Sequence, residues 1–149
     1  MILSENLKIR IKKIKENAIL PYYAHEGDAG VDLYSTGDYV LKPGQRILVS
    51  TGLIMDIPKG YEGQIRPKSG LALKHGITTC NNPGTIDSGY RGEIGVIAIN
   101  HGTEEFKIEK GTKIAQMIFN KVEEAEFEEV EELDNTKRGE EGFGSTGLN

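Results

Sequence analysis

Three carboxylates sit among turn-forming residues in this chain. Asp28 and Asp32 lie in DAGVDLYS (28–35), and Asp87 lies in NNPGTIDSGYRGEI (81–94), three positions before Tyr90. Carboxylates so placed can accept protons or bind hard cations through oxygen. PKSGLALKHG (67–76) reads as one short helix with Lys68, Ser69 and Gly70 at its start and Gly76 as its stop. Exposed backbone N–H groups and the helix dipole favour an anion there. Gln116 is a polar residue inside the otherwise apolar KGTKIAQMIF (110–119). Near the C-terminus, RGEEGFGSTG (138–147) sets Arg138 and Phe143 among four glycines, with Ser145 and Thr146 beside them. A tail that only solvates a protein has no use for a lone aromatic flanked by glycines. Each segment also has an ordinary reading: Asp28 and Asp32 as loop formers, DSGY as a hairpin turn, Gln116 on an exposed strand face, the tail as disorder.

The elements around these residues are strands. LKIRIKKI alternates Leu7, Ile9 and Ile11 with basic residues, and RILVSTGLIMDI (46–57) is a long strand or pair bounded by KPG and PKG turns. YEGQIR (61–66), GEIGVIAIN (92–100), EFKIEK (105–110) and KIAQMIFNKV (113–122) continue the series, with NHGTEE and EKGTK as turns. Many short strands at this spacing predict a sandwich, barrel or jelly roll with one helical turn, whose cap is Ser69. No period of about 20 to 50 residues repeats, which excludes solenoids and propellers.

Composition narrows the class further. The 149 residues fit one domain, and 37% hydrophobic with 28% charged residues is the balance of a globular protein. Nineteen glycines and five prolines favour turns over long helices. No stretch approaches the roughly 20 apolar residues of a membrane span, and MILSENLKIRIKKIKEN interleaves charge with Ile, unlike a signal or transit peptide. The single cysteine, Cys80, excludes an internal disulfide, fits a reducing cytoplasm and is expected as a small buried hydrophobe. Residues 120–149 hold 10 acids against 3 bases, whereas residues 1–119 carry a net +2. A nearly neutral body with an acidic tail lacks the basic stripe of a nucleic-acid binder, yet leaves room for a small anionic ligand.

Taken together the segments are specific. AGVDLYS, PKSGLALKHGI, NNPGTIDSGYRGE, GTKIAQMIF and RGEEGFGSTG occur here in the order and spacing of the trimeric deoxyuridine triphosphate nucleotidohydrolases. Over nearly its full length the chain resembles that family, the dUTPases. The resemblance implies an all-β, jelly-roll-like barrel or sandwich (1–133), a C-terminal lid (134–149), and a homotrimer whose sites are shared between subunits. It also implies cytoplasmic hydrolysis of dUTP to dUMP and pyrophosphate with Mg²⁺, an activity that limits uracil in DNA and supplies dUMP for thymidylate synthesis.

Residue by residue, the resemblance makes Asp87 the general base for a water attacking the α-phosphorus. Tyr90 would lie under the deoxyribose, and Asn81 with Thr85, Ile86, Asp87 and the arm near Gly95 would read the uracil edge. Lys68, Ser69, Gly70 and Gln116 would hold phosphates, and Asp32 would touch Mg²⁺ through water. In the tail, Phe143 would stack on the uracil, a contact of roughly 1–3 kcal/mol. Arg138, Gly144, Ser145 and Thr146 would wrap the phosphates. One position departs from the pattern: many relatives carry Arg directly before the SG of the second segment, where this chain has Lys68, with Arg66 two residues earlier. Lys is a point charge where Arg is a fork, so either residue could reach phosphate. The competing readings are a dCTP deaminase of the same fold and a trimer that binds nucleotide without turnover. A deaminase places a glutamate base where TIDSGYRGE has Asp87 and Tyr90, and the intact Asp32, Asp87, Arg138 and Phe143 weigh against lost activity. His25, His75 and His101 receive no role beyond surface or packing.

Overall fold

Alternating burial fixes the architecture. The computed structural model describes residues 6–149, so the first five residues of the N-terminal stretch lie outside the described residues. In chain order the strands are β1 (Arg10–Lys13), β2 (Val31–Tyr34), β3 (Tyr39–Leu41), β4 (Arg46–Ser50), β5 (Leu53–Asp56) and β6 (Tyr61–Arg66). After the helix α1 (Ser69–His75) come β7 (Ile77–Thr79), β8 (Gly84–Ile86), β9 (Gly95–Asn100), β10 (Phe106–Ile108) and β11 (Lys113–Lys121). The segment 46–57 is thus a pair of strands, broken at Thr51–Gly52.

All pairings are antiparallel. A four-stranded sheet runs β2-β11-β6-β8, a three-stranded sheet β4-β9-β7, and two ribbons join β1 to β5 and β3 to β10. Strand β9 shows why these residues choose strands: Val96, Ala98 and Asn100 are buried while Gly95, Ile97 and Ile99 are only partly covered. The core gathers Leu33, Leu41, Val49, Leu53, Met55, Ile77, Ile94, Val96, Ile108 and Met117, all essentially without solvent contact. Each large side chain so buried contributes about 1.5–3 kcal/mol. Asn100, a polar residue buried among them, is satisfied: its amide donates to the carbonyls of Leu41 (2.9 Å) and Glu104 (2.8 Å), and its Oδ1 accepts from Gly102 N–H (2.8 Å).

Four details correct the reading of the sequence. Cys80 is exposed, because Ile77 and Thr79 take the inward positions of β7 and the alternation turns Cys80 outward. Ser69 is the first residue of α1 and not its cap. Lys68 holds the cap position in extended backbone without a side-chain cap bond, and its carbonyl accepts the first helical bond from Ala72 N–H (3.0 Å). Gly76 does end α1, with φ 70°. Asp32 stands on β2 and not in a loop, since Val31 and Leu33 on either side of it are buried. Finally, β8 and β9 are not the two arms of one hydrogen-bonded hairpin. β8 pairs with β6 and β9 pairs with β4 and β7, so the DSGY turn joins two different sheets.

Candidate active site

The first cluster is set by strand register. Gln116 on β11 lies opposite Asp32 on β2 and Arg66 on β6, a row of three polar residues across the four-stranded sheet. Gln116 Nε2 donates to the carbonyl of Pro67 (2.9 Å), which ties β11 to the approach of α1. From the cap of α1, the Lys68 ammonium reaches back and ion-pairs with Asp32 Oδ1, while Lys113 Nζ stands 3.6 Å from Oδ2. The Arg66 guanidinium turns along its own strand instead, donating to Gln64 Oε1 at 2.7 and 3.2 Å. Asp32, Lys68 and Gln116 line a cleft of about 290 Å³ with Tyr22, Asp28 and Gly30. A Cβ on Gly30 would stand 2.6 Å from Gln116 Oε1, so glycine is what lets the amide enter this cleft. Asp28 also closes its loop, accepting from His25 N–H (2.9 Å). Behind Asp32, burial, then hydrogen bonding and charge from Tyr22 and the charge of Asp32, push the Tyr34 phenol up to about 12.

The second cluster is set by shape. Ile86 from β8, Tyr90 from the following turn and Gly95 at the start of β9 line a cleft of about 300 Å³, completed by Leu48, Ser50, Glu93 and Ile97. Its walls are apolar apart from Ser50, Glu93 and the Tyr90 hydroxyl, which suits a flat ring with a polar edge. Gly92 makes room for Tyr90, since a Cβ there would come within 2.5 Å of the phenol carbon that bears the hydroxyl. The turn is braced by Arg91, which donates to the carbonyls of Ser88 (2.9 Å) and Tyr90 (3.1 Å) and to Asp56 Oδ1 (2.6 Å). The hydrogen bond from Arg10, with the charges of Arg91 and Arg10, holds the Asp56 carboxyl below its ordinary range. Asp87 sits at the head of this turn, exposed, its carbonyl accepting from Tyr90 N–H (3.1 Å).

A cation-and-amide cleft together with a ring-sized apolar cleft is what a charged nucleotide requires, and the comparisons agree on the family. A family model described as dUTPase matches residues 16–147. The deoxyuridine 5'-triphosphate nucleotidohydrolase of Clostridium novyi is 58% identical over 142 residues, covering 95% of this chain and all of that one. That of Trichodesmium erythraeum is 54% identical over 141 residues, covering 95% of this chain and 99% of its own. The chain belongs to the dUTPase family. Among solved structures, a variant of the Staphylococcus bacteriophage 80alpha dUTPase with dUpNHpp superposes with a TM-score of 0.87 at 28% identity, covering 95% of this chain and 99% of that one. A variant of the S. aureus phage phi11 dUTPase, described for its coordination of a structural Mg(II) ion, gives 0.79 at 26% identity, over 84% and 97% of the two chains.

Within this dUTPase chain, the residues singled out from sequence fall into three groups. Asp32, Lys68 and Gln116 share the polar cleft, with Ser69 and Gly70 exposed directly beside it at the start of α1. Ile86, Tyr90 and Gly95 share the apolar cleft, with Thr85 and Asp87 flanking Ile86 and the Asn81 amide folded over Gly84. The tail residues Arg138, Phe143, Gly144, Ser145 and Thr146 are exposed and line neither cleft. There Arg138 Nε donates to the carbonyl of Glu141 (2.9 Å), and Phe143 takes a positive φ of 47° with its ring in solvent. Sequence reading missed Tyr22, Gly30, Leu48, Ser50, Arg91 and Glu93. Glu93 lies inside a quoted segment, but its use depends on partners more than 40 positions away. His75 packs its ring 4.9 Å from that of Phe106.

Proposed function

We propose that this chain is a dUTP diphosphatase, converting dUTP and water to dUMP and pyrophosphate. The observation that carries the reading is the pair of clefts, one charged and one ring-shaped, in a chain matched almost end to end by dUTPases. The uracil is read by Asn81 and the backbone of Thr85, Ile86 and Asp87 against the arm at Gly95, where fixed N–H and C=O groups meet its polar edge. Tyr90 lies beneath the deoxyribose and leaves no room for a 2′-hydroxyl. Lys68, Ser69, Gly70 and Gln116 bind phosphate oxygens. Lys68 fits this role better than Arg66, because Lys68 points into the polar cleft and Arg66 is engaged by Gln64.

Asp87 takes a proton from water as the water oxygen bonds to the α-phosphorus. The bond from that phosphorus to the bridging oxygen breaks, and pyrophosphate leaves with the electron pair. The donor set of the polar cleft fits a hydrated hard cation: Asp32 offers a carboxylate, and Asp28 and Gln116 offer further oxygens. No cage of three or more His, Cys, Asp or Glu side chains exists among the described residues. When bound, Mg²⁺ supplies positive charge to the triphosphate. The segment 134–149 acts as a lid, with Phe143 on the uracil and Arg138, Gly144, Ser145 and Thr146 around the phosphates. A homotrimer brings these parts together, with the Asp87 turn, phosphate helix and tail drawn from different subunits. The test is pyrophosphate release from dUTP with Mg²⁺. Release with dUMP as the nucleotide product supports the reading, whereas deamination of dCTP, or binding without turnover, overturns it.

A further inference from the structure

Glu93 lines the apolar cleft, yet neither acid–base chemistry nor phosphate binding has a use for it there. It is half-buried, and a carboxylate taken from water is costly unless hydrogen-bonded. Its Oε2 accepts two bonds, from the Ser50 hydroxyl (2.6 Å) at the end of β4 and from Gly52 N–H (3.3 Å) in the β4–β5 connection, both more than 40 positions away in sequence. The direction of the Ser50 proton is fixed by its other neighbours. Lys15 Nζ donates to Ser50 Oγ at 2.7 Å, and the Thr36 hydroxyl lies 2.8 Å from the same oxygen, so Ser50 accepts from that side and donates to Glu93. The backbone carbonyl of the same Glu93 is the acceptor for the Tyr90 hydroxyl (2.9 Å). Gly92 between them admits the ring and leaves its position to be set by that one bond.

We infer that Glu93 is a positioning residue for sugar selectivity: its carboxylate, pinned to Ser50 and Gly52, acts together with the Ile94 N–H bond to Leu53 in the same peptide unit to hold the carbonyl on which the Tyr90 hydroxyl is anchored. The inference rests on the reading of Tyr90 as the wall beneath the deoxyribose. A wall excludes a 2′-hydroxyl only as well as it is held, because a ring free to swing by an ångström makes the room that the extra oxygen needs. Two bonds that tie this segment to the β4–β5 connection do not use the Glu93 side chain, so Glu93→Ala is expected to fold. Ile94 N–H still donates to the Leu53 carbonyl (2.7 Å), and the Thr51 hydroxyl to the Ile94 carbonyl (2.5 Å).

The experiment measures kcat/KM for dUTP and for UTP in wild type, Glu93→Ala, Glu93→Gln and Tyr90→Ala. For Glu93→Ala the dUTP-to-UTP ratio falls about tenfold, at the low end of what fit in a pocket can set, and UTP turnover rises in absolute terms. Glu93→Gln restores the ratio, because both bonds end on one oxygen that the amide carbonyl can replace. Equal loss toward both substrates in Glu93→Ala would show a merely structural role and overturn the inference, as would failure of Gln to rescue. If Tyr90→Ala collapses the ratio while Glu93→Ala leaves it intact, the inference alone fails. If Tyr90→Ala leaves it intact, the reading of Tyr90 falls and takes the inference with it.

Discussion

Asp32, Lys68 and Gln116 are held by register and charge, whereas Ile86, Tyr90 and Gly95 are held by shape. In the polar cleft, two adjacent strands of one sheet set Asp32 and Gln116 side by side, and an ion pair keeps Lys68 turned inward from the cap of α1. In the apolar cleft, β8 and β9 come from different sheets, and glycines at 92 and 95 open space for Tyr90 and Leu48. The two clefts share no lining residue. One fold thus prepares the two halves of the proposed nucleotide site separately. A cleft built by charge should respond to changes of charge, and a cleft built by fit should respond to changes of size.

The largest effect is expected where the reaction occurs. Asp87→Asn keeps the shape of the turn but cannot take the proton, so dUTP turnover falls by at least about a hundredfold. Calorimetry with a non-hydrolysable dUTP analogue should show binding essentially unchanged. A variant retaining more than about a tenth of the turnover would remove Asp87 from the role of base. A smaller effect separates the two cations near the polar cleft. Lys68→Met raises KM for dUTP by about tenfold, the value of one charge-assisted hydrogen bond, while Arg66→Met changes it by less than about twofold. Equal effects of the two substitutions would mean that the Arg66 guanidinium leaves Gln64 for phosphate. The smallest effect concerns the brace behind the apolar cleft. The folded state holds the Asp56 carboxyl below its ordinary range, chiefly through Arg10, so the associated stabilisation is present above the unfolded carboxylate pKa. It is lost as pH falls through the lower folded value. Arg10→Ala therefore lowers Tm slightly at neutral pH, and the difference from wild type closes in acid. A difference that persists in strong acid would show that Arg10 acts through packing instead.

Much of this was legible in the sequence, for physical reasons that differ by region. Strands such as YEGQIR and KIAQMIFNKV declare themselves because a two-residue period matches one buried face. Gly76 ends α1 as a left-handed stop should. The family is legible because five separated segments keep one order. Pairing between sheets is harder to read. Nothing local in TIDSGYRGEIG shows that its two ends join different sheets, since DSGY would turn equally well within one. The Ser50–Glu93 bond and the Arg66–Gln64 engagement depend on where side chains meet in space, which the pattern of a strand does not encode. Cys80 was misplaced because its burial follows from the phase of β7, a three-residue strand too short to show that phase.

The sharing of sites between subunits is the claim most directly open to measurement. Two inactive proteins serve for the test: Asp87→Asn with an intact tail, and a chain truncated after Lys137 with an intact Asp87. They are unfolded, mixed in equal amounts, refolded together and assayed for pyrophosphate release against each alone, with mixed assemblies confirmed by mass. If the Asp87 turn and the tail come from different subunits of a homotrimer, about a quarter of the sites combine the intact Asp87 of one protein with the intact tail of the other. Recovery near that fraction of wild-type turnover is the expected result. Background activity in confirmed mixed trimers would contradict it, and would place the lid over the turn of its own subunit.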